Sequence, residues 1–416
     1  MLSQDVQLDA LSRACRPGYL PAVQTLSLFA IAGPGLERIV ADELASLGIL
    51  ATATRGGAEW EGGIDDVGKA NLHLRTASRI LVRADSFRAR TFHELERRAR
   101  RIDWDRFVAS GEDVRLRVTC RKSALWHEGA VAERILDAIE ERTGKRGVTG
   151  NEEEGDDDAG QLFVVRMFRD VCTISADSSG DLLHRRGYRE AVAKAPLRET
   201  IAAAMLRACG WTPDQPLLDP MCGSGTIAIE AALIARDIAP GLALRSRVPR
   251  AFRFLDWPSL HGLAWQSLVE QATSRIRPHC PAPILASDRN AGAIRAAAAN
   301  AGRAGVEDDI ELAIRPLSAV RLPSPERSTG SAGVGDGNTV AGPRPRGPGW
   351  IVTNPPYGER IGNRALARRI MSELKARLTS DFTDWRLAAL TPGPGDGTAL
   401  ETRNGGIPVH LEIQPT

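Results

Sequence analysis

Asn354-Pro355-Pro356-Tyr357 closes the apolar run Trp350-Ile351-Val352-Thr353, and these residue types suit one kind of chemistry. Each proline fixes its own φ near about −65° and removes a backbone donor, and Pro355 also pushes Asn354 out of the helical region. The carbonyls of Asn354 and Pro355 are left to accept hydrogen bonds, while Tyr357 offers a flat ring. An exocyclic amine on a nucleobase is a poor nucleophile, because its lone pair is delocalised into the ring. Two acceptors can orient it and hold its protons. Stacking on Tyr357 would add about 1–3 kcal/mol, comparable to part of the cost of drawing a base out of its stack. The tetrapeptide points to transfer onto nitrogen; the plainer reading is an Asn-Pro-Pro loop after a strand.

A second motif supplies a place for the donor. Leu217-Leu218-Asp219-Pro220-Met221-Cys222-Gly223-Ser224-Gly225-Thr226 reads as a buried strand, a glycine-rich turn and the start of a helix. Ala228, Ala231, Ala232 and Ala235 let that helix pack closely on a sheet. The glycines allow the backbone to approach a ligand, and the helix N-terminus favours a carboxylate. Asp219 adds a negative charge that would receive an ammonium, so the pair of charges suits an amino-acid-like cofactor better than a pyrophosphate. Further on, Ile284-Leu285-Ala286-Ser287-Asp288 is a second apolar strand ending in an acid, placed to accept both ribose hydroxyls of an adenosine cofactor. Asp288 lies far beyond the roughly 20 positions of a dinucleotide fingerprint. A long insertion from Pro240 to Pro283 must intervene if the two strands are neighbours. The alternative for Asp288 is a helix cap before Arg289 and Asn290.

The elements that hold these motifs fall into two halves. Leu26 to Ile31 reads as a strand and Leu36 to Leu47 as an amphipathic helix, with more strand signals before Lys69. Arg75 to Ser86 and Glu94 to Trp104 read as mostly helical, Val114 to Cys120 as a strand and Ala130 to Arg142 as a helix. The acidic Glu152 to Asp158 reads as an exposed loop, and Leu162 to Phe168 and Val171 to Ser175 as strands. This first half is α+β. From about Ala195 strands alternate with helices, as in a doubly wound sheet, and Trp385 to Leu390 and Ile407 to Ile413 read as its last strands. Residues 322–349 are rich in Pro, Gly, Ser and Thr and read as a flexible insertion.

The order DPMCGSGT, ASD and TNPPYGER, preceded by LHRRGYREAVAKAPLRET, resembles the class I S-adenosylmethionine-dependent RNA methyltransferases that carry a THUMP domain, most closely the 23S rRNA guanine-N2 methyltransferases. The resemblance runs from Ser27 to Ile413. It implies an N-terminal extension at 1–24, a ferredoxin-like segment at 25–70, a THUMP RNA-binding domain at 71–190 and a Rossmann-like methyltransferase domain at 191–416. Carried over, Asp219, Gly223 and Gly225, with Pro220, Met221, Cys222, Ser224 and Thr226 in the same loop, line the methionine and sugar side of S-adenosylmethionine. Asp288, followed by Arg289, holds the ribose. Pro196 and Leu197 belong to a segment that closes over the methionine moiety, and Asn354, Pro355, Pro356 and Tyr357 present the amine. Arg360 is either a phosphate or base contact or a solvated arginine. His184 is either an RNA contact or, as is commoner in a basic junction, expected to face solvent, and Cys222 is expected to pack rather than to react.

One position departs from the family pattern. Where an acid after the third strand usually meets the adenine amine, this chain has Leu312-Ala313-Ile314-Arg315-Pro316-Leu317-Ser318, so either cofactor affinity is weakened or, the preferred reading, backbone groups or Ser318 take that role. The resemblance implies methyl transfer to the N2 amine of a guanine in 23S rRNA or its assembly precursor. Transfer RNA guanine-N2 or adenine-N6 methylation stays open, as does a non-catalytic RNA-binding or ribosome assembly factor.

Composition sets the outer limits. A chain of 416 residues suits two to three domains. Its formal charge is +2, but from Arg75 to Lys122 basic residues outnumber acidic ones by roughly two to one, which reads either as a nucleic-acid footprint or as a solvated arginine-rich helix. Six cysteines without CxxC spacing and seven histidines suggest a reducing cytoplasm and no metal site. No stretch approaches the roughly 18 apolar residues that span a bilayer, so a soluble protein without a membrane partner is expected.

Overall fold

The computed structural model describes residues 25–150, 160–189, 197–242, 249–260, 263–320, 348–356, 364–380, 382, 384–393, 395 and 399–414. Its first half holds β1 (Leu26–Ala32), α1 (Glu37–Ser46), β2 (Thr52–Thr54), β3 (Gly57–Gly62), α2 (Ile64–His73), β4 (Ala77–Arg88), α3 (Phe92–Ala99), β5 (Val114–Arg121), α4 (Glu128–Thr143), β6 (Val148–Thr149), β7 (Gln161–Phe168) and β8 (Val171–Asp177). The eight strands form one sheet in the order β2-β3-β1-β4-β8-β7-β5-β6. Residues on both sides of position 70 therefore share a sheet.

The helix expected at Arg75 to Ser86 is instead β4. It pairs antiparallel with β1 on one side and β8 on the other. Ile80, Leu81 and Val82 are all buried, because a central strand is covered on both faces. Continuous burial erases the two-residue alternation that marks a half-exposed strand. The expected acidic loop at 152–158 lies outside the described residues.

The second half holds α5 (Glu199–Ala208), β9 (Leu217–Asp219), α6 (Thr226–Ala235), α7 (Trp265–Ser274), β10 (Ile284–Asp288), α8 (Ala291–Ala304), β11 (Ile310–Ile314), β12 (Trp350–Thr353), α9 (Arg364–Ser380), β13 (Arg386–Pro392), β14 (Glu401–Asn404) and β15 (Ile407–Gln414). Its sheet runs β11-β10-β9-β12-β13-β15-β14. The first five of these are parallel neighbours, and β15 runs antiparallel to both β13 and β14. The chain order reverses between β9 and β12. In open α/β sheets the crevice beyond the carboxyl ends of such strands is where ligands bind.

Residues after α6 return to the first half before β10 begins. Gly241 donates from its amide to Leu72 O at 2.9 Å, Phe254 to Ser178 O at 3.0 Å, and Trp257 Nε1 to Gln161 Oε1 at 2.7 Å. Leu263, Trp265 and Leu268 pack around Leu72 and Ala272. The expected insertion between two neighbouring strands is thus present and fastens one sheet to the other.

A buried charge cluster completes the junction. Arg186 reaches Glu230 at 3.4 Å and donates to Arg75 O at 2.6 Å; Tyr188 Oη donates to Glu230 at 3.1 Å; Arg75 donates to Ile238 O at 2.6 Å. All four side chains are buried. Glu230 belongs to α6, whose other residues are almost all apolar and buried, so its carboxylate needs these partners. Removing one member of a buried ion pair costs about 3–5 kcal/mol, because the other charge stays uncompensated. Glu230→Ala is expected to lower the thermal unfolding midpoint far more than Tyr188→Phe, which loses one hydrogen bond worth about 1 kcal/mol. Equal midpoints for the two variants would contradict this account of the junction.

Candidate functional site

Three strand ends meet at the switch point. β9 ends at Asp219, and its neighbour β10 ends at Asp288 in parallel register, with Ala286 opposite Asp219. On the other side β12 ends at Thr353, whose Oγ1 donates to Asp219 Oδ1 at 2.8 Å. The two motifs, separated by more than a hundred residues in the chain, are therefore in direct contact. Asn354, Pro355 and Pro356 follow at once from Thr353, and Asn354 Oδ1 is buried with no hydrogen-bond partner. A buried amide oxygen left unpaired is costly, and this one follows directly on the strand end that bonds Asp219.

The glycine loop is wound tightly against β10. Gly223 donates from its amide to Asp288 Oδ2 at 3.1 Å, Cys222 to Ser287 O at 3.0 Å and Gly225 to Cys222 O at 2.8 Å. Gly223 has φ +53° and Gly225 φ +85°, a region disfavoured for other residues. A Cβ at Gly225 would stand 3.0 Å from Ala297 Cβ on α8, whereas a Cβ at Gly223 would meet nothing within 4 Å. Gly225 is therefore required by packing, and Gly223 leaves open space beside the loop. Thr226 and Pro220 are buried, and Met221 and Ser224 are partly so.

Asp219 is only 1 % exposed. Burial pushes its carboxyl up to about 7, against the Thr353 hydroxyl and the Met221 amide, which favour the charged form; nearby Asp288 adds to the rise. Asp288 also accepts from the Asn290 amide at 2.8 Å, but the cap of α8 is Asn290, whose side chain accepts from Gly292 N at 2.8 Å. Asp288 therefore braces the loop rather than capping the helix. Arg289 is exposed. The Cys222 thiol is pushed well up by burial and by both acids, which suits packing and not a thiolate nucleophile.

Leu197 is buried just before α5, and its carbonyl accepts from Arg189 at 2.9 Å. Pro196, Tyr357 and Arg360 lie outside the described residues. His184, expected to face solvent, is partly buried, and desolvation with its arginine neighbours lowers its pKa to about 4. At the end of β11, Ile314 sits opposite Asp288 and is 60 % exposed. An apolar side chain thus stands open to solvent at the end of the strand after which the family pattern places an acid.

Three buried polar groups were not anticipated. Thr353 was read only as part of a strand. Asn300 on α8 donates to Ser224 O at 3.0 Å, holding the glycine loop from behind. Ser287 Oγ is buried without a hydrogen-bond partner. Their signal is a single polar residue in an apolar or alanine-rich run. Among the described residues, no group of three or more metal-ligating side chains comes together, and no helix is long and apolar enough to cross a membrane.

Residues 186–332 match the model of the RMKL-like methyltransferase domain, and residues 27–81 that of the RlmL ferredoxin-like domain. YpsC of Bacillus subtilis, which carries a provisional name as an RNA methyltransferase, is 33% identical over 365 residues, covering 88% of this chain and 87% of that protein. The chain belongs to the RMKL-like methyltransferase family. The ribosomal RNA large subunit methyltransferase K/L of Syntrophotalea carbinolica is 34% identical over 382 residues and 89% of this chain, which spans 49% of that longer protein. Among solved structures, SMU.472, a provisionally named methyltransferase crystallised with S-adenosylhomocysteine, superposes with a TM-score of 0.74 at 26% identity, over 94% of this chain and 98% of that one. In this family member the glycine loop, the two strand-end acids and the Asn-Pro-Pro segment meet at neighbouring strand ends of one sheet.

The raised carboxyl of Asp219 gives a pH signature. An unfolded chain releases this proton near about 4, whereas the folded protein keeps it until about 7. Its contribution to stability is therefore full below about 4 and is lost as pH rises to about 7. Unfolding midpoints measured from pH 4 to 8 should fall more steeply with pH for the parent than for Asp219→Asn. Parallel curves would show that Asp219 ionises normally.

Proposed function

We propose that this protein is an S-adenosylmethionine-dependent RNA methyltransferase that acts on the exocyclic N2 amine of a guanine in large-subunit ribosomal RNA. The observation that carries this reading is the Thr353–Asp219 hydrogen bond, which sets an amine-holding lip against a cofactor-type loop. Residues 71–190 would serve as the THUMP module that grips the RNA, following a ferredoxin-like segment at 25–70. The names of the relatives support RNA as the substrate, and the protein would work in the cytoplasm beside it.

The residues present fit the cofactor. Gly223 leaves space, Asp288 offers a carboxylate at a strand end for ribose hydroxyls, and Asp219 favours a cation. A bound ammonium would lower the Asp219 pKa and keep the carboxylate charged, so affinity should rise with pH up to about 7. Ile314 would cover one face of the adenine, leaving its edge to backbone groups. S-adenosylmethionine supplies an electrophilic methyl group. Asn354 and the carbonyl of Pro355 accept the protons of the flipped guanine's amine, orient it and hold it still, and Tyr357 stacks on the base. Proximity and charge complementarity then supply most of the acceleration. The amine becomes acidic only after attack, so no strong base is needed.

Asn354→Ala is expected to cut methyl transfer into undermethylated ribosomal RNA at least about a hundredfold, in the range of losing one oriented polar group, with cofactor affinity by calorimetry little changed. Unaltered turnover would remove Asn354 from the site. Loss of cofactor affinity with unaltered turnover at saturation would move it to the donor side.

A further inference from the structure

At one end of the eight-stranded sheet, β4, β8, β7 and β5 run out together, with Arg88 opposite Val171, Val171 opposite Phe168 and Phe168 opposite Arg121. The turn at Arg169 and Asp170 and the loop from Lys122 to His127 close that end. Arg88, Arg90, Arg121, Lys122, Arg166 and Arg169 are all exposed there. The nearby carboxylates are engaged: Asp170 accepts from the Ala124 amide at 2.8 Å and meets Arg90 at 3.3 Å, and Glu128 accepts from the Cys120 amide at 2.9 Å. The balance is strongly positive.

The backbone is held in a conformation that presents these charges. Lys122 (φ +52°), Arg169 (φ +51°) and Asp170 (φ +65°) are three of the four non-glycine residues with left-handed φ among the described residues. Long side chains seldom adopt that region, and where they do the surroundings must enforce it. Here Ser123 Oγ accepts from the Asp170 amide at 3.0 Å and donates to Arg121 O at 3.1 Å, which staples loop to turn. Beside them Trp126 is 73 % exposed, its ring edge-on to His127 at 5.8 Å.

Resting on the RNA-methyltransferase reading above, we propose that this sheet end is the RNA-docking surface and that it takes an unpaired stretch, with one base stacked on Trp126 and flanking phosphates on Lys122, Arg169 and Arg121. A duplex keeps its bases stacked inside, so an exposed indole gains only from an unstacked base. The alternative basic face, on and after α3, is partly neutralised: Arg100 pairs with Glu141 at 3.0 Å, and Glu96 with Arg134 at 3.2 Å.

The test compares two fluorescein-labelled RNA hairpins, one blunt and one with a single-stranded tail, by anisotropy at several salt concentrations. Trp126→Ala should weaken binding of the tailed hairpin about tenfold, in the range of one lost stacking contact, and leave the blunt one unchanged, while Trp126→Phe restores most of the loss. Lys122→Ala with Arg169→Ala should weaken both RNAs and reduce the slope of log affinity against log salt by about two. Unfolding midpoints of the variants serve as the folding control. Unchanged affinity in Trp126→Ala, or an unchanged slope in the double variant, overturns the surface. Methyl transfer by the parent is scored separately: transfer alongside unchanged Trp126→Ala binding leaves the functional reading intact and sinks this one. Tail-selective binding without transfer to any RNA does the reverse.

Discussion

A carboxylate almost closed off from water, Asp219, stands where two neighbouring parallel strands part company, and the second half of the chain is arranged around it. Burial alone would neutralise it. The Thr353 hydroxyl at 2.8 Å and the Met221 amide at 3.2 Å both donate to its Oδ1 and support its charge, while Asp288 opposes that charge. The result is a carboxyl whose pKa is raised by burial to about 7. The same hydrogen bond from Thr353 ties the Asn-Pro-Pro segment to the strand that leads into the glycine loop, so the two cannot drift apart without leaving a buried acid poorly satisfied.

That crevice is built on two halves that are joined rather than strung together. Glu230, one turn into the helix that follows the glycine loop, is held by Arg186 and Tyr188 from the segment leaving the first sheet. Arg303 on α8 donates to Tyr188 O at 2.7 Å, and Asn300 on the same helix holds Ser224. The stretch between α6 and β10 returns to bond Leu72, Ser178 and Gln161. RNA gripped by the first sheet would therefore meet the crevice across a packed, charge-paired junction.

Much of this was legible in the sequence because chemistry restricts residue type. Only glycine sits comfortably at Gly223 and Gly225, the acids Asp219 and Asp288 stand out at the ends of apolar strands, and two prolines in succession cannot continue a strand. The spacing between Gly225 and Asp288 already demanded an insertion, although nothing in it said which surface the insertion would meet. β4 was misread because a strand buried on both faces loses its alternation. The short β2, β6 and β14 are edge or near-edge strands with too few residues to show a pattern. Thr353 and Asn300 were missed because a lone polar residue in an apolar run reads as tolerance until its partner, far away in the chain, is seen. The basic segment from Arg75 to Lys122 was legible as a run, but that Arg88 and Arg121 come together with Arg166 and Arg169 at one sheet end follows only from the pairing of β4, β8, β7 and β5.

The central claim is that the crevice delivers a methyl group to the N2 amine of guanine. Its most direct test is to incubate the protein with isotope-labelled S-adenosylmethionine and undermethylated large-subunit ribosomal RNA, digest the RNA to nucleosides and identify the labelled product by mass spectrometry. The account predicts label in N2-methylguanosine. Label in N6-methyladenosine alone, or none in any nucleoside from a folded protein that binds the cofactor, would contradict it.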